Sequence, residues 1–440
     1  MKKVAKTIKK SSKKSPSSKS VITAVFASEI LDSRGVPTIE AEVHLASGAK
    51  AWAQVPSGAS TGAAEALELR DGDPHRYFGK GVLYAIKNIK GEIAELVIGL
   101  DACDQEALDE KMIYLDGTDN KSRLGANAIL AVSLAACRAA AVHKKVPLYE
   151  HIRSLSGGRQ NDYHIPTPMF NIINGGEHAD SGLAIQEYKV VPHGVESFKE
   201  QYRAGAEIFH ALKNLLADSG MVTAVGDEGG FAPRLANNEE PLNEIASAVE
   251  NAGYVMGRDV SIAIDAAANS FYRPTCDHYV FELEKQAMSK SELFAVYDLW
   301  IAKKYLMSIE DGLREDDWEG WGQMNTQLGN RVMLIGDDHL VTNVKRLVRA
   351  IKEKTCNAVL IKPNQIGTLT ETLRCMKLAQ KNNMKTIVSH RSGETIDDFI
   401  ADLAVGARAD YMKTGSLSRG ERLVKYNRLL AIERQIAAIK

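Results

Sequence analysis

The sequence predicts an α/β protein, an eight-stranded barrel of alternating strands and helices preceded by a smaller α+β domain. Three observations carry this. A strand, loop and helix unit with an ionisable residue at the strand's carboxyl end recurs, closing on Asp265, Glu310, Asp337, Lys362, His390 and Lys413. Two more apolar strands, 167–174 and 184–191, precede these six, and eight strands close a barrel with a filled interior. The part before them reads differently, as a strand meander followed by helices. Charges are seldom buried without partners, so six at successive strand ends mark one rim of the barrel, where such enzymes keep their chemistry.

Taken in order, residues 1–20 carry eight lysines, no acid and few apolar residues, which predicts a disordered tail. It lacks the apolar centre of a secretory signal and the arginines of a mitochondrial presequence. From 21 to 160 a first domain is expected. There Ile39, Ala41, Val43 and Leu45 alternate with Glu40, Glu42 and His44, after a turn at Asp32-Ser33-Arg34-Gly35. A third strand, 51–55, runs into Pro56-Ser57-Gly58-Ala59-Ser60-Thr61-Gly62, whose small residues suit a loop that closes over a ligand. Helices are expected over 84–97 and 126–142. The second is about as long as a membrane span, but Asn127, Ser133 and Arg138 interrupt it, so it reads as a buried helix and no membrane span is expected.

The barrel occupies 161–440. After its first strand comes Gly175-Gly176-Glu177-His178; the second strand carries Gln186 and Glu187; and glycines on both sides of Asp227 and Glu228 make 224–230 a presenting loop. Val359, Leu360 and Ile361 form a buried strand delivering Lys362, and Leu369, Leu373 and Met376 follow at helical spacing. Val344, Leu347, Val348 and Ile351 give the one-sided stripe of an outer helix.

Composition narrows the function. The chain has 440 residues, 45% of them hydrophobic, and a net charge of −1 that the lysine tail masks; without the tail the body is acidic, so no nucleic-acid partner is expected. Five cysteines without a Cys-x-x-Cys pair suit small core residues in a reducing, cytoplasmic setting. Asp265, Glu310 and Asp337 suit Mg²⁺, which wants hard oxygen ligands, whereas zinc would call for more His or Cys. Lys362, His390, Arg391 and Lys413 face these acids and imply an anionic substrate, with Arg391 and Ser392 suited to phosphate or carboxylate. A lysine beside metal ions has its ammonium form disfavoured, which makes Lys362 a candidate proton acceptor and leaves Glu228 as a candidate acid. Spacing points to proton abstraction beside a metal-bound carboxylate and leaves racemase, lyase and isomerase open.

The motifs Ser57-Gly58-Ala59-Ser60-Thr61-Gly62, Asn174-Gly175-Gly176-Glu177-His178-Ala179, Gly226-Asp227-Glu228-Gly229-Gly230, Ser308-Ile309-Glu310-Asp311, Leu360-Ile361-Lys362, Ser389-His390-Arg391-Ser392-Gly393-Glu394-Thr395 and Lys413-Thr414-Gly415-Ser416 stand in order, and through them the chain resembles the enolase family from about Val21 onward. The resemblance implies a capping α+β domain and a barrel whose second strand is antiparallel, a homodimer, and reversible dehydration of 2-phospho-D-glycerate to phosphoenolpyruvate in glycolysis and gluconeogenesis. It implies two Mg²⁺ per site, one held by Asp265, Glu310 and Asp337 and the other joined by Ser60. It makes Lys362 the base at carbon 2 and Glu228 the acid at the carbon 3 hydroxyl, supported by Glu187 and His178. Gln186, His390, Arg391, Ser392 and Lys413 become substrate contacts. A cell-surface or secreted fraction binding plasminogen is a further implication, for which Lys440 and the tail offer lysines. Pro363, Asn269-Ser270 and His339 depart from the family's common pattern.

Overall fold

Strand β1 (Ile22–Leu31) turns at Asp32, whose carboxylate accepts the backbone N–H groups of Arg34 and Val36 at 2.8 and 2.9 Å, and returns antiparallel as β2 (Pro37–Leu45). In this computed structural model, which describes residues 19–58, 62–159, 161–303 and 305–438, β3 (Lys50–Gln54) completes the meander beside β2. Most of the expected tail, Ser60 and Lys440 lie outside the described residues; Lys19 and Ser20 already belong to the body, their carbonyls accepting from Ser47 and Ala102. Ile39, Ala41 and Val43 are fully buried while Glu40, Glu42 and His44 face outward, as the alternation requires.

The helix Ala126–Lys144 packs that buried face. It is long and apolar enough to cross a membrane, but 83% of its apolar window is buried within the protein. The helix expected over 84–97 is broken instead, into Leu83–Asn88, a π-turn at Ile89–Ile93 and Ala94–Val97. The break falls at Gly91, whose φ of −101° and ψ of −108° lie outside the helical region.

The large sheet contains β4 (Thr167–Pro168), β5 (Phe170–Asn174), β6 (Glu187–Val191) and β7 (Ser261–Asp265). A three-stranded ribbon, β8 (Tyr272–Arg273), β9 (His278–Phe281) and β10 (Gln286–Met288), interrupts it. It resumes with β11 (Leu306–Glu310), β12 (Met333–Gly336), β13 (Ala358–Ile361), β14 (Lys385–Ser389) and β15 (Tyr411–Lys413). Its order is β4-β15-β14-β13-β12-β11-β7-β6-β5. Because β4 and β5 are halves of one strand joined through Met169, the two ends of this order meet and eight strand positions close a barrel. All neighbours run parallel except β6, which is antiparallel to both β5 and β7. The connection from β5 to β6 carries no crossover helix, and only an antiparallel return can be made that way. Two helices, Phe198–Asp218 and Glu240–Asn251, then lead to β7.

Inside the barrel Met169, Val191, Ala263, Ile335, Ala358, Leu360 and Ile387 pack on one another. Side chains alternate along a strand, so residues two positions further toward the rim point into the same interior: Ala263 leads to Asp265, Ile335 to Asp337, Leu360 to Lys362 and Ile387 to Ser389. The first domain sits over this rim, tied by Arg138 to Asp397 at 2.6 Å and by Asp109 to the hydroxyl of Thr370 at 2.6 Å.

Candidate active site

Most of the expected site residues converge on one polar cleft at the barrel rim. His178, Gln186, Glu187, Glu228, Asp265, Asp337, Lys362, His390, Arg391, Ser392 and Lys413 line it. Glu310 lies buried beneath, and Ser60 is outside the described residues.

At the floor, the Lys413 ammonium donates to Glu310 Oε1 at 2.6 Å and Glu187 Oε2 at 3.1 Å, with Asp265 at 3.4 Å. A second ammonium, on Lys189, donates to Glu187 Oε2 and Glu310 Oε2, both at 2.9 Å. Burial works against each charge here. The carboxylates outweigh it and raise both lysines, and the lysines in turn hold Glu187 well below the usual carboxylate range. Asp265 is instead pushed up, by burial and by the charge of Glu310.

The expected metal trio ends on the adjacent strands β7, β11 and β12, in two groups. Glu187, Asp265 and Glu310 offer oxygens within 4.8 Å of one another, and Asp311, Asp337 and Asp338 do the same. All are oxygen donors of the kind a hard divalent cation takes, so the residues present fit Mg²⁺. Asp311 accepts the backbone N–H groups of Asp337 and Asp338 at 2.9 and 2.8 Å and so shapes the second group. Burial and the neighbouring Asp337 push Asp338 up to about 7.

Lys362 pairs with Asp337 Oδ2, and Gln365 donates to Asp337 Oδ1 at 2.8 Å. Burial disfavours the Lys362 ammonium, but Asp337 outweighs burial and raises this lysine. The neutral base expected from the sequence therefore requires that the Asp337 charge be taken up elsewhere. Pro363 removes no needed donor. It occupies the first position of a short helix, Pro363–Ile366, where the missing N–H would be unpaired anyway, and it is preset for that turn.

Glu228 accepts from the Asn171 side-chain amide at 3.0 Å and stands 3.5 Å from both His178 and His390. Its loop is held by Gly229, whose φ is +87° and where a Cβ would stand 2.7 Å from Ser418 Oγ. Arg422, fully buried, donates to His390 Nδ1 at 2.7 Å and to the carbonyls of Arg391, Ser392 and Asp227 at 2.6, 2.6 and 2.9 Å. With Nδ1 accepting, neutral His390 carries its proton on Nε2, toward Glu228. Burial first, and Arg422 second, hold His390 well below its ordinary value. Burial also opposes a charge on His178, where Glu228 prevails and raises it.

Arg391 makes a forked pair with Glu65 at 2.9 and 3.1 Å and donates to Asn364 Oδ1 at 3.1 Å. Glu65 follows the loop expected to close over a ligand, and the backbone bridge between Ser57 and Gly393 joins that loop to the arginine's own. Gln186 precedes β6 rather than lying on it, and its Oε1 is buried without a partner at the cleft wall.

Sequence reasoning missed Lys189, Glu65, Arg422, Asp311 and Asp338. The pairs Glu310-Asp311 and Asp337-Asp338 were visible as doubled acids, and Lys189 stands two residues from Glu187 on the same strand face. Of the other departures, Asn269 and Ser270 line the cleft and His339 does not. His339 is buried, stacked on Trp321 at 4.5 Å and bonded to Thr355 at 3.0 Å; Asn269 accepts from the Glu315 backbone at 3.0 Å. Cys276 is exposed, unlike buried Cys137, Cys356 and Cys375, so it is no core residue.

Two family models match the chain. One, described as the enolase C-terminal TIM barrel domain, covers residues 162–440, and the other, the enolase N-terminal domain, covers 22–152.

Proposed function

The chain belongs to the enolase family, and from that premise we propose that it catalyses the reversible dehydration of 2-phospho-D-glycerate to phosphoenolpyruvate. The observation that carries this reading is the pairing, in one cleft, of Lys362 with Glu228, above a set of carboxylates and beside the buried guanidinium of Arg391.

In this reading Arg391 and Ser392 take the phosphate and Lys413 lies toward the carboxylate. Lys362 removes the carbon 2 proton, and Glu228 protonates the departing hydroxyl at carbon 3. His178 and Glu187 support that acid side, and Gln186 and His390 contact the substrate. Asp265, Glu310 and Asp337 would hold Mg²⁺, with Ser60 for a second ion, and the bound cation would stabilise the charge building on the substrate carboxylate while disfavouring the ammonium of Lys362. The two antagonistic tasks, taking a proton and giving one, fall to residues on strands or loops that are not neighbours, so neither neutralises the other.

We place the reaction in glycolysis and gluconeogenesis, in the cytoplasm, in a homodimer. A surface role toward plasminogen would rest on Lys440 and the tail, which lie outside the described residues except for Lys19 and Ser20.

The test is enol ultraviolet absorbance when the purified chain meets 2-phosphoglycerate with Mg²⁺, then with excess chelator, beside Lys362→Ala. Turnover that needs Mg²⁺ and vanishes in the variant is expected. Folded, Mg²⁺-loaded chain that forms no enol product would overturn the reading.

A further inference from the structure

Lys189 is a lysine inside a barrel. Strand β6 is antiparallel, so Glu187 stands at the rim and Lys189 one level deeper, opposite Ala263 of β7. The small alanine leaves space for the long stem, and the lysine side chain has no exposed surface. An ammonium at such depth is costly unless well paired, and this one is shared between Glu187 Oε2 and Glu310 Oε2, 2.9 Å from each. The other oxygen of Glu310, Oε1, faces Lys413 at 2.6 Å. The two lysines therefore differ in place: Lys413 lines the cleft and Lys189 does not.

We propose that Lys189 is a positioning residue for the cation site, pinning the inner oxygen of Glu310 from below so that this glutamate offers a bound ion one oxygen only. The inference rests on Glu310 being a cation ligand, as in the proposed function. One-oxygen carboxylate ligation suits Mg²⁺, which is small and octahedral, and disfavours Ca²⁺, which accepts more oxygens and bidentate carboxylates. A fixed positive charge one carboxylate away also weakens the binding of any dication. Lys189 thus gives up some affinity and gains preference for the smaller ion.

The experiment titrates MgCl₂ and CaCl₂ separately into chelator-stripped full-length chain by calorimetry, with no substrate, for wild type, Lys189→Met and Lys189→Arg. Lys189→Met is expected to bind both ions more tightly and to raise the Ca²⁺-to-Mg²⁺ affinity ratio by about tenfold, while Lys189→Arg, which keeps the charge, holds the wild-type ratio. A filler role for Lys189 would leave the ratio unmoved. Should Lys189→Met not fold, Lys189→Gln carries the same expectation. An unchanged ratio or weaker ion binding in the uncharged variant, or the same shift in Lys189→Arg, overturns the proposal. Absence of lyase turnover would leave these titrations standing, whereas a wild-type chain that binds neither ion removes both readings.

Discussion

Replacing Arg422 by methionine should loosen two site loops at once. The guanidinium spans the His390–Ser392 segment and the loop presenting Glu228, through three carbonyls and His390 Nδ1. Methionine fills much of the volume and donates nothing. Ser392 O keeps a long contact with Ser33 Oγ at 3.5 Å, which leaves the buried Arg391 carbonyl and His390 nitrogen and the half-buried Asp227 carbonyl as the acceptors that lose the arginine. At ~1–3 kcal/mol for each, with relaxation recovering part, the loss is about 3–6 kcal/mol, a large share of a typical domain's stability. Urea unfolding followed by circular dichroism reads this directly, and Arg422→Lys should recover roughly a third to a half of it because one donor group can reach only some of the acceptors. Arg422 is also one of the forces holding His390 neutral, so in Arg422→Met its titration should move up toward the ordinary histidine range, read by proton nuclear magnetic resonance. A loss below about 1 kcal/mol together with an unmoved His390 would show that water or a neighbour replaces the arginine, and the loop-spanning argument would fail.

His339, held down to about 4 by burial, should make stability fall on acidification: the unfolded chain binds the proton from about pH 6.5 downward and the folded chain does not, so ~3 kcal/mol present above pH 6.5 is lost as pH drops toward 4. Thermal melts of His339→Phe should show a flatter pH slope over that window, and an equal slope would exclude His339 as its source. Glu65→Gln, which breaks a buried forked pair, should cost about 3–5 kcal/mol in stability while raising the calorimetric affinity for inorganic phosphate, since Arg391 loses its internal anion. Glu228→Gln should lower kcat by roughly 10²- to 10⁴-fold with KM nearly unchanged; a proportional change in KM alone would reassign Glu228 to binding.

The rim was legible because it follows from local alternation. A residue two positions beyond Leu360 or Ala263 points where they point, so a charge there is a charge at the mouth of the interior, whatever the neighbouring strands are. The antiparallel second strand was not visible in residue pattern, because direction depends on how a connection returns and not on which residues are apolar. Lys189 was hidden for a related reason. In Glu187-Tyr188-Lys189-Val190 nothing local marks it off from any other charged strand position, and one of its carboxylates, Glu310, comes from 121 residues away. Arg422 sits in the first turn of the last helix, and three of its partners are backbone carbonyls, which carry no residue signature.

These omissions share a cause with consequences for the chemistry. Each visible group is one that must reach a ligand, so it sits at a strand end or in a glycine loop, whereas Lys189, Glu65 and Arg422 act on other protein groups and can sit anywhere the fold brings them. Lys189 against Glu310, Glu65 against Arg391 and Arg422 against His390 each set a visible residue's charge, freedom or tautomer. Substituting the visible member should therefore change turnover, and substituting its hidden partner should change ion preference, anion affinity or titration, quantities that can be measured with no substrate present.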